Sequence, residues 1–225
     1  MELIMKDQLE HYLSPSEFIQ SDHPLVAKFV ADNTDPSDPP SQKAIKLFHA
    51  VRDQIKYDPD TFSIKREFYY PAVTLHKKAS TCVPKAALLC AVLRNARIPC
   101  KMGYADVTNH IISPKILDLL NGNKVFYMHG FCRLYLNYRW IKVTPTFNKE
   151  LCEKMRVAPL EFDGENDCLF QQYNSEGNKL MEYITYYDEF EDIPFDYLTK
   201  LYLESYPKLC SVGNQHSFDF YKNIQ

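Results

Sequence analysis

Two side chains in this sequence are suited to nucleophilic chemistry if the fold brings them together: the thiol of Cys82 and the imidazole of His129. Cys82 opens the run Cys82-Val83-Pro84-Lys85-Ala86-Ala87-Leu88-Leu89-Cys90-Ala91-Val92-Leu93, where a nearly all-apolar helix is expected to begin. A thiol at a helix head meets unpaired N–H groups and the positive end of the helix dipole, and both favour the nucleophilic thiolate. His129 lies in Met128-His129-Gly130-Phe131-Cys132-Arg133-Leu134-Tyr135-Leu136, whose alternation predicts a strand. A cysteine at a helix head and a distant histidine on a sheet fit the nucleophile–base pairing of cysteine hydrolases and acyltransferases. In that chemistry imidazole takes the thiol proton and the ion pair persists. The Cys82 backbone N–H then helps hold a developing oxyanion.

The elements that must position this pair follow from periodicity and punctuation. Asp22-His23-Pro24 caps a short helix through Val30, and Asp32–Pro40, rich in proline and aspartate, is a loop. Ala44, Leu47, Phe48, Val51 and Ile55 predict an amphipathic helix over about 41–56. Residues 57–79, passing Phe68-Tyr69-Tyr70-Pro71, read as an irregular surface crossing that walls the cleft. The Cys82 helix ends near Asn95, with Pro99 beyond it, and its apolar residues run all round, as in a buried central helix. Strands are expected over 101–107, 125–136 and 140–143, the last two joined as a hairpin through Asn137-Tyr138-Arg139. Between the first two, 108–124 is an excursion with a short helix around 116–120. A helix at 149–156, strands at 160–162, 168–173 and 179–186, a helix at 195–206 and a frayed tail complete the expectation.

Composition bounds the partners. The 225 residues carry a net charge of −3 without a long basic or acidic block, which argues against nucleic acid or an anionic membrane surface. No stretch approaches the roughly 20 apolar residues of a membrane helix, and the N-terminus lacks a signal-peptide core. Seven cysteines form no regular framework and no C-x-x-C pair, so free thiols in a reducing, cytoplasmic setting are expected. Most of them, Cys90 and Cys132 included, fit small buried hydrophobes.

With both blocks in view, the sequence resembles the transglutaminase-like superfamily, whose members share a papain-like core. Cys82 through Leu89, continuing to Arg94 and Ile98-Pro99, is similar to that family's nucleophile segment. His129–Leu136 with Trp140-Ile141-Lys142-Val143-Thr144-Pro145-Thr146 is similar to its histidine strand and the hairpin strand that ends in Asp-Pro-Thr. The order of the blocks matches, and the wider layout from Leu13 to Pro207 resembles bacterial members of the cysteine-protease type. The resemblance implies Cys82 as nucleophile and His129 as general base. It departs at the third position, where Thr144 stands in place of the orienting aspartate. A hydroxyl can fix the imidazole tautomer but offers no charge. Thr144 is favoured by position, with Asn148 and Asp163 as alternatives. Ser80-Thr81 likewise replaces a common glycine-containing turn.

Other constellations point elsewhere. His129 and Cys132 face opposite sides of a strand and cannot share a metal. Asn109-His110 could line the cleft, although a surface histidine is the plainer reading. Glu189, Glu191 and Asp192 read as a solvated acidic face. No phosphate-binding or calcium loop is present, so no cofactor or metal is implied.

Taken together, these features predict an α+β fold, a papain/transglutaminase-like core with the cysteine helix packed on an antiparallel sheet. One domain over 1–225 is expected, with the catalytic core at 81–148, a helical part at 1–80, and strands and a helix at 149–225. The expected function is a cysteine-dependent hydrolase or acyltransferase acting through a thioester on Cys82, with a peptide, protein or small amide as substrate. The competing expectation is an inactive binding module of the same fold.

Overall fold

The computed structural model describes residues 9–170, 172–174 and 176–214. Helices come first: α1 (Pro24–Asn33), α2 (Pro40–Gln54), α3 (Pro71–Lys77) and α4 (Cys82–Asn95). A two-residue parallel pair, β1 (Lys56–Tyr57) with β2 (Ala79–Ser80), delivers the chain to the head of α4. Then follow β3 (Cys100–Asn109), α5 (Pro114–Leu119), β4 (Val125–Leu136), β5 (Arg139–Val143), α6 (Lys149–Met155), β6 (Met181–Tyr186), α7 (Phe195–Ser205) and α8 (Pro207–Asn214). The four long strands form one antiparallel sheet in the order β5-β4-β3-β6. The architecture is the expected α+β arrangement.

α4 is the spine. Every residue from Val83 to Arg94 is buried, because β3 and β4 cover one side while α1, α2 and α3 cover the other. Two of these residues are cationic, and burial without partners would be costly. Lys85 donates to the carbonyls of Arg52 and Ile55 at the end of α2. Arg94 donates to those of Ser14, Cys100 and Glu191. The charges therefore tie α4 to its neighbours.

The β4–β5 hairpin turns on Asn137 and Tyr138, both at positive φ (50° and 64°). Two such residues make the mirror-image turn that matches strand twist. The turn is one residue tighter than expected, with Arg139 already in β5.

Several segments differ from expectation. Residues 57–79 are neither irregular nor superficial. They hold α3 and two short 3-10 turns, and Phe68, Tyr69, Ala72 and Val73 belong to the core. Alternation was a poor guide there, because aromatics packed from two sides show no period. No strand forms at 160–162. The described residues of the 168–173 segment make isolated bridges, Val143 with Cys168 and Tyr173 with Lys179. Of the acidic face, Glu191 is exposed as expected, but the other two are structural: Asp192 accepts from the Phe18 and Ile193 N–H groups, and Glu189 pairs with Lys101 and Arg133. The helix expected at 195–206 is α7, and α8 follows it after a break at Tyr206. The tail expected to fray, 215–225, lies outside the described residues, among which no helix is long and apolar enough to cross a membrane.

Candidate active site

Cys82 is the first residue of α4, as the apolar run predicted. The preceding Thr81 is extended (φ −89°, ψ −178°), and its side chain makes no capping hydrogen bond. Pro84 has no N–H to satisfy. The first-turn amides of Cys82 and Val83 are thus left for the site, not consumed by a cap.

The backbone amides of Gly130, Val83 and Cys82 itself lie near enough to the sulfur to favour its thiolate. Gly130 can reach it because it has no side chain. A Cβ there would sit 3.0 Å from Val83 Cα and 3.1 Å from Val83 Cγ2. Glycine on β4 therefore lets the helix head press directly on the strand, one residue beyond His129.

His129 is aimed by a bulge. Ala105 pairs with His129 and Val107 with Phe126, so Asp106 of β3 stands opposite both Tyr127 and Met128 of β4. Met128 takes a left-handed φ of 50°, uncommon for a side chain of its size. The freed amides are both satisfied: Asp106 Oδ1 accepts from Met128 N–H at 3.0 Å, and Tyr206 Oη from Tyr127 N–H at 2.7 Å. Asp106 Oδ2 in turn accepts from the Tyr187 hydroxyl at 3.0 Å. Bulges recur beside active sites because they redirect one side chain without ending the strand.

The imidazole is buried against Phe170 and Tyr183. Its Nε2 lies 3.2 Å from Thr144 Oγ1, and Thr144 Oγ1 lies 2.9 Å from Thr146 Oγ1. If Nε2 carries the proton, Thr144 accepts it and passes its own hydroxyl hydrogen to Thr146. Thr146 escaped the sequence reading. The other candidates for the third position are engaged elsewhere: Asn148 Oδ1 accepts from Tyr57 N–H at 3.0 Å, and exposed Asp163 closes a turn through the amides of Glu165 and Asn166. Asn109 ends β3 on the cavity wall, whereas His110 is exposed and pairs with Glu182 at 3.1 Å.

Cys82 and His129 line the same space. A cavity of about 290 Å³ and a smaller one of about 60 Å³ flank them, and both residues border each. Electrostatically the site departs from the expected persistent ion pair. Burial pushes the Cys82 thiol up, outweighing the three amides that pull it down. Burial also pushes His129 down to about 3. Burial disfavours charge on both groups, which weighs against a resting ion pair and toward a neutral thiol and a neutral imidazole.

Six of the seven cysteines are buried and Cys82 is the partly exposed one; all are free. Among the described residues a single group of three could in principle hold a metal: Cys90, Cys100 and Cys132. Cys90 Sγ lies 3.0 Å from Cys100 Sγ and 3.4 Å from Cys132 Sγ, in the core beneath α4, and none of the three lines either cavity. Fully buried and packed together, they serve as the small hydrophobes anticipated from sequence.

A solved structure from Cytophaga hutchinsonii, named a "Putative Cysteine Protease", is similar with 16% identity and a TM-score of 0.47. The similarity covers 81% of this chain and 54% of the other, so the chain spans about half the length of that structure. No curated protein matches the sequence. The family model for the transglutaminase-like superfamily core matches residues 27–145, more than half of the 225 residues, from within α1 through Cys82 and His129 to Thr144. The chain belongs to the transglutaminase-like superfamily.

Proposed function

We propose that this protein is a cysteine-dependent amide hydrolase or acyltransferase in which Cys82 is the nucleophile and His129 the general base. The observation that carries the reading is the convergence on one cavity of the uncapped head of α4 and the bulge-aimed imidazole. In the reaction His129 takes the Cys82 proton as sulfur bonds to the substrate carbonyl carbon. The tetrahedral oxygen lies within reach of the first-turn amides of α4. The C–N bond then breaks, His129 returns the proton to the leaving nitrogen, and a thioester remains on Cys82. Water completes a hydrolysis, and an amine completes a transfer; hydrolysis is favoured, because transfer needs a dedicated amine channel. Thr144 acts as a positioning residue that holds Nε2, with Thr146 behind it. The substrate is a peptide, a protein or a small amide.

One observation favours a second reading, a binding module that has lost the chemistry: Thr144 supplies no negative charge to stabilise imidazolium. Intact-mass analysis after treatment with p-nitrophenyl acetate separates the two. The catalytic reading expects one acetyl group on Cys82, removed by hydrolysis and absent in Cys82→Ala. A protein that stays unacetylated, or is labelled equally in His129→Ala, would support the binding module.

A further inference from the structure

The cavity that meets Cys82 carries a chemical signature of its own. Of the described residues bordering its roughly 290 Å³, none is Asp, Glu, Lys or Arg. Much of the wall is aliphatic or aromatic, including Val107, Ile112, Leu151, Met155, Phe170 and Met181. Its polar groups are all neutral, Tyr57 and Asn109 among them, and several oxygens are already engaged. Asn109 Oδ1 accepts from Ile111 N–H at 2.9 Å, Ser113 Oγ from Ile116 N–H at 3.4 Å, and Thr146 bonds to Thr144.

A charged substrate group entering this space would be stripped of water and find no counter-ion, whereas an apolar one gains from leaving water. The acyl group of a thioester must wait on Cys82 Sγ after the leaving group departs, so it needs a compartment that touches the sulfur. Both cavities touch it, and the larger offers about 290 Å³ against about 60 Å³. The smaller one is walled in part by Tyr69, Tyr202 and Tyr206.

We infer that the substrate presents an uncharged aliphatic or aromatic side chain beside the scissile carbonyl, held in the larger cavity. This rests on the Cys82 reading above and narrows it to a substrate class.

The test compares p-nitrophenyl esters of N-acetyl-phenylalanine, N-acetyl-leucine, N-acetyl-glutamate and N-acetyl-lysine, following nitrophenol release and the mass added to Cys82. Phenylalanine and leucine esters are expected to exceed the charged pair in kcat/KM by on the order of 100-fold. A Leu151→Arg variant, checked for folding by circular dichroism, is expected to shift the ratio toward glutamate by at least about tenfold. If all four esters acylate Cys82 with similar kcat/KM, or the charged ones lead, the side-chain assignment is overturned while the nucleophile stands. If Leu151→Arg acylates normally with an unchanged preference, the acyl group does not occupy the larger cavity. If neither these esters nor p-nitrophenyl acetate acylates Cys82, the nucleophile reading fails and this inference fails with it.

Discussion

Asp106 Oδ1 holds the backbone N–H of Met128 at 3.0 Å, one residue before His129. That bond fixes a left-handed residue in the middle of a strand, and the bulge it stabilises turns the imidazole toward the cavity. Asp106→Ala would leave the Met128 amide and the Tyr187 hydroxyl without this acceptor, at a cost of about 1–3 kcal/mol. Urea denaturation is expected to show that loss, and Cys82 alkylation to slow by more than the unfolded fraction explains. Asp106→Asn keeps an acceptor for Met128 and a group that can pair with Tyr187, so it should stay near wild type. Unchanged alkylation in folded Asp106→Ala would mean the bulge does not need its carboxylate.

Thr144 stands where the family resemblance implies an orienting aspartate. Thr144→Val removes the oxygen facing Nε2 and should slow Cys82 alkylation roughly tenfold, the value of one buried hydrogen bond. Thr144→Ser should retain most of the rate. Thr144→Asp supplies a negative charge, which favours imidazolium and should move the acid limb of the rate profile to higher pH. Identical rates in Thr144→Val and wild type would show that the hydroxyl does not orient the ring.

Gly130→Ala tests the contact between helix head and strand. The new methyl would meet Val83 Cα at 3.0 Å and Val83 Cγ2 at 3.1 Å, so α4 must move a few tenths of an ångström off β4. The Gly130 amide then loses its place at the sulfur. Thermal unfolding should show a modest loss of stability, with Cys82 reactivity down on the order of tenfold. Full reactivity in the variant would deny Gly130 a role at the site.

Burial of a neutral imidazole also sets a pH dependence for stability. An unfolded histidine takes up a proton near 6.5, whereas folded His129 resists until about 3. Its contribution is therefore complete above 6.5 and is lost as pH falls toward 3, with a slope approaching about 1.4 kcal/mol per pH unit. Replacing His129 with Gln should flatten urea-derived stability across that window. A curve that stays equally steep would place its acid sensitivity in other groups.

The sequence marked Cys82 and His129 as the candidate pair and located the elements that carry them, because each signal was local: an apolar run with cysteine at its head, an alternating run around histidine, and the turn between β4 and β5. What positions them was not local. Asp106 read as one charged residue inside a strand, and only the strand register places it opposite Met128. Thr146 reaches Thr144 through the local path of the chain after β5, and no periodicity reports that. Glu189 and Asp192 looked like a solvated face because an acidic cluster carries no mark of the distant Lys101, Arg133 and Phe18 groups it binds. Residues 57–79 hid a helix because packing on both sides erased the polar–apolar period. The charge state was missed for a related reason: the dipole at a helix head is visible in sequence, whereas the depth of the site that opposes it is a property of the fold.

The account stands or falls on proton transfer from Cys82 to His129. The direct measurement is the rate of Cys82 alkylation by iodoacetamide against pH, in wild type and His129→Ala, with the labelled residue located by mass spectrometry. A neutral imidazole can accept the thiol proton internally wherever it is unprotonated. Wild type should therefore react at a nearly constant rate from about pH 4 to about 8 and decline only as His129 protonates. His129→Ala should react far more slowly at acid pH, gaining about tenfold per pH unit as the thiol ionises on its own. Parallel profiles in the two proteins, both climbing like an ordinary thiol, would contradict the pairing and leave the fold as a binding scaffold.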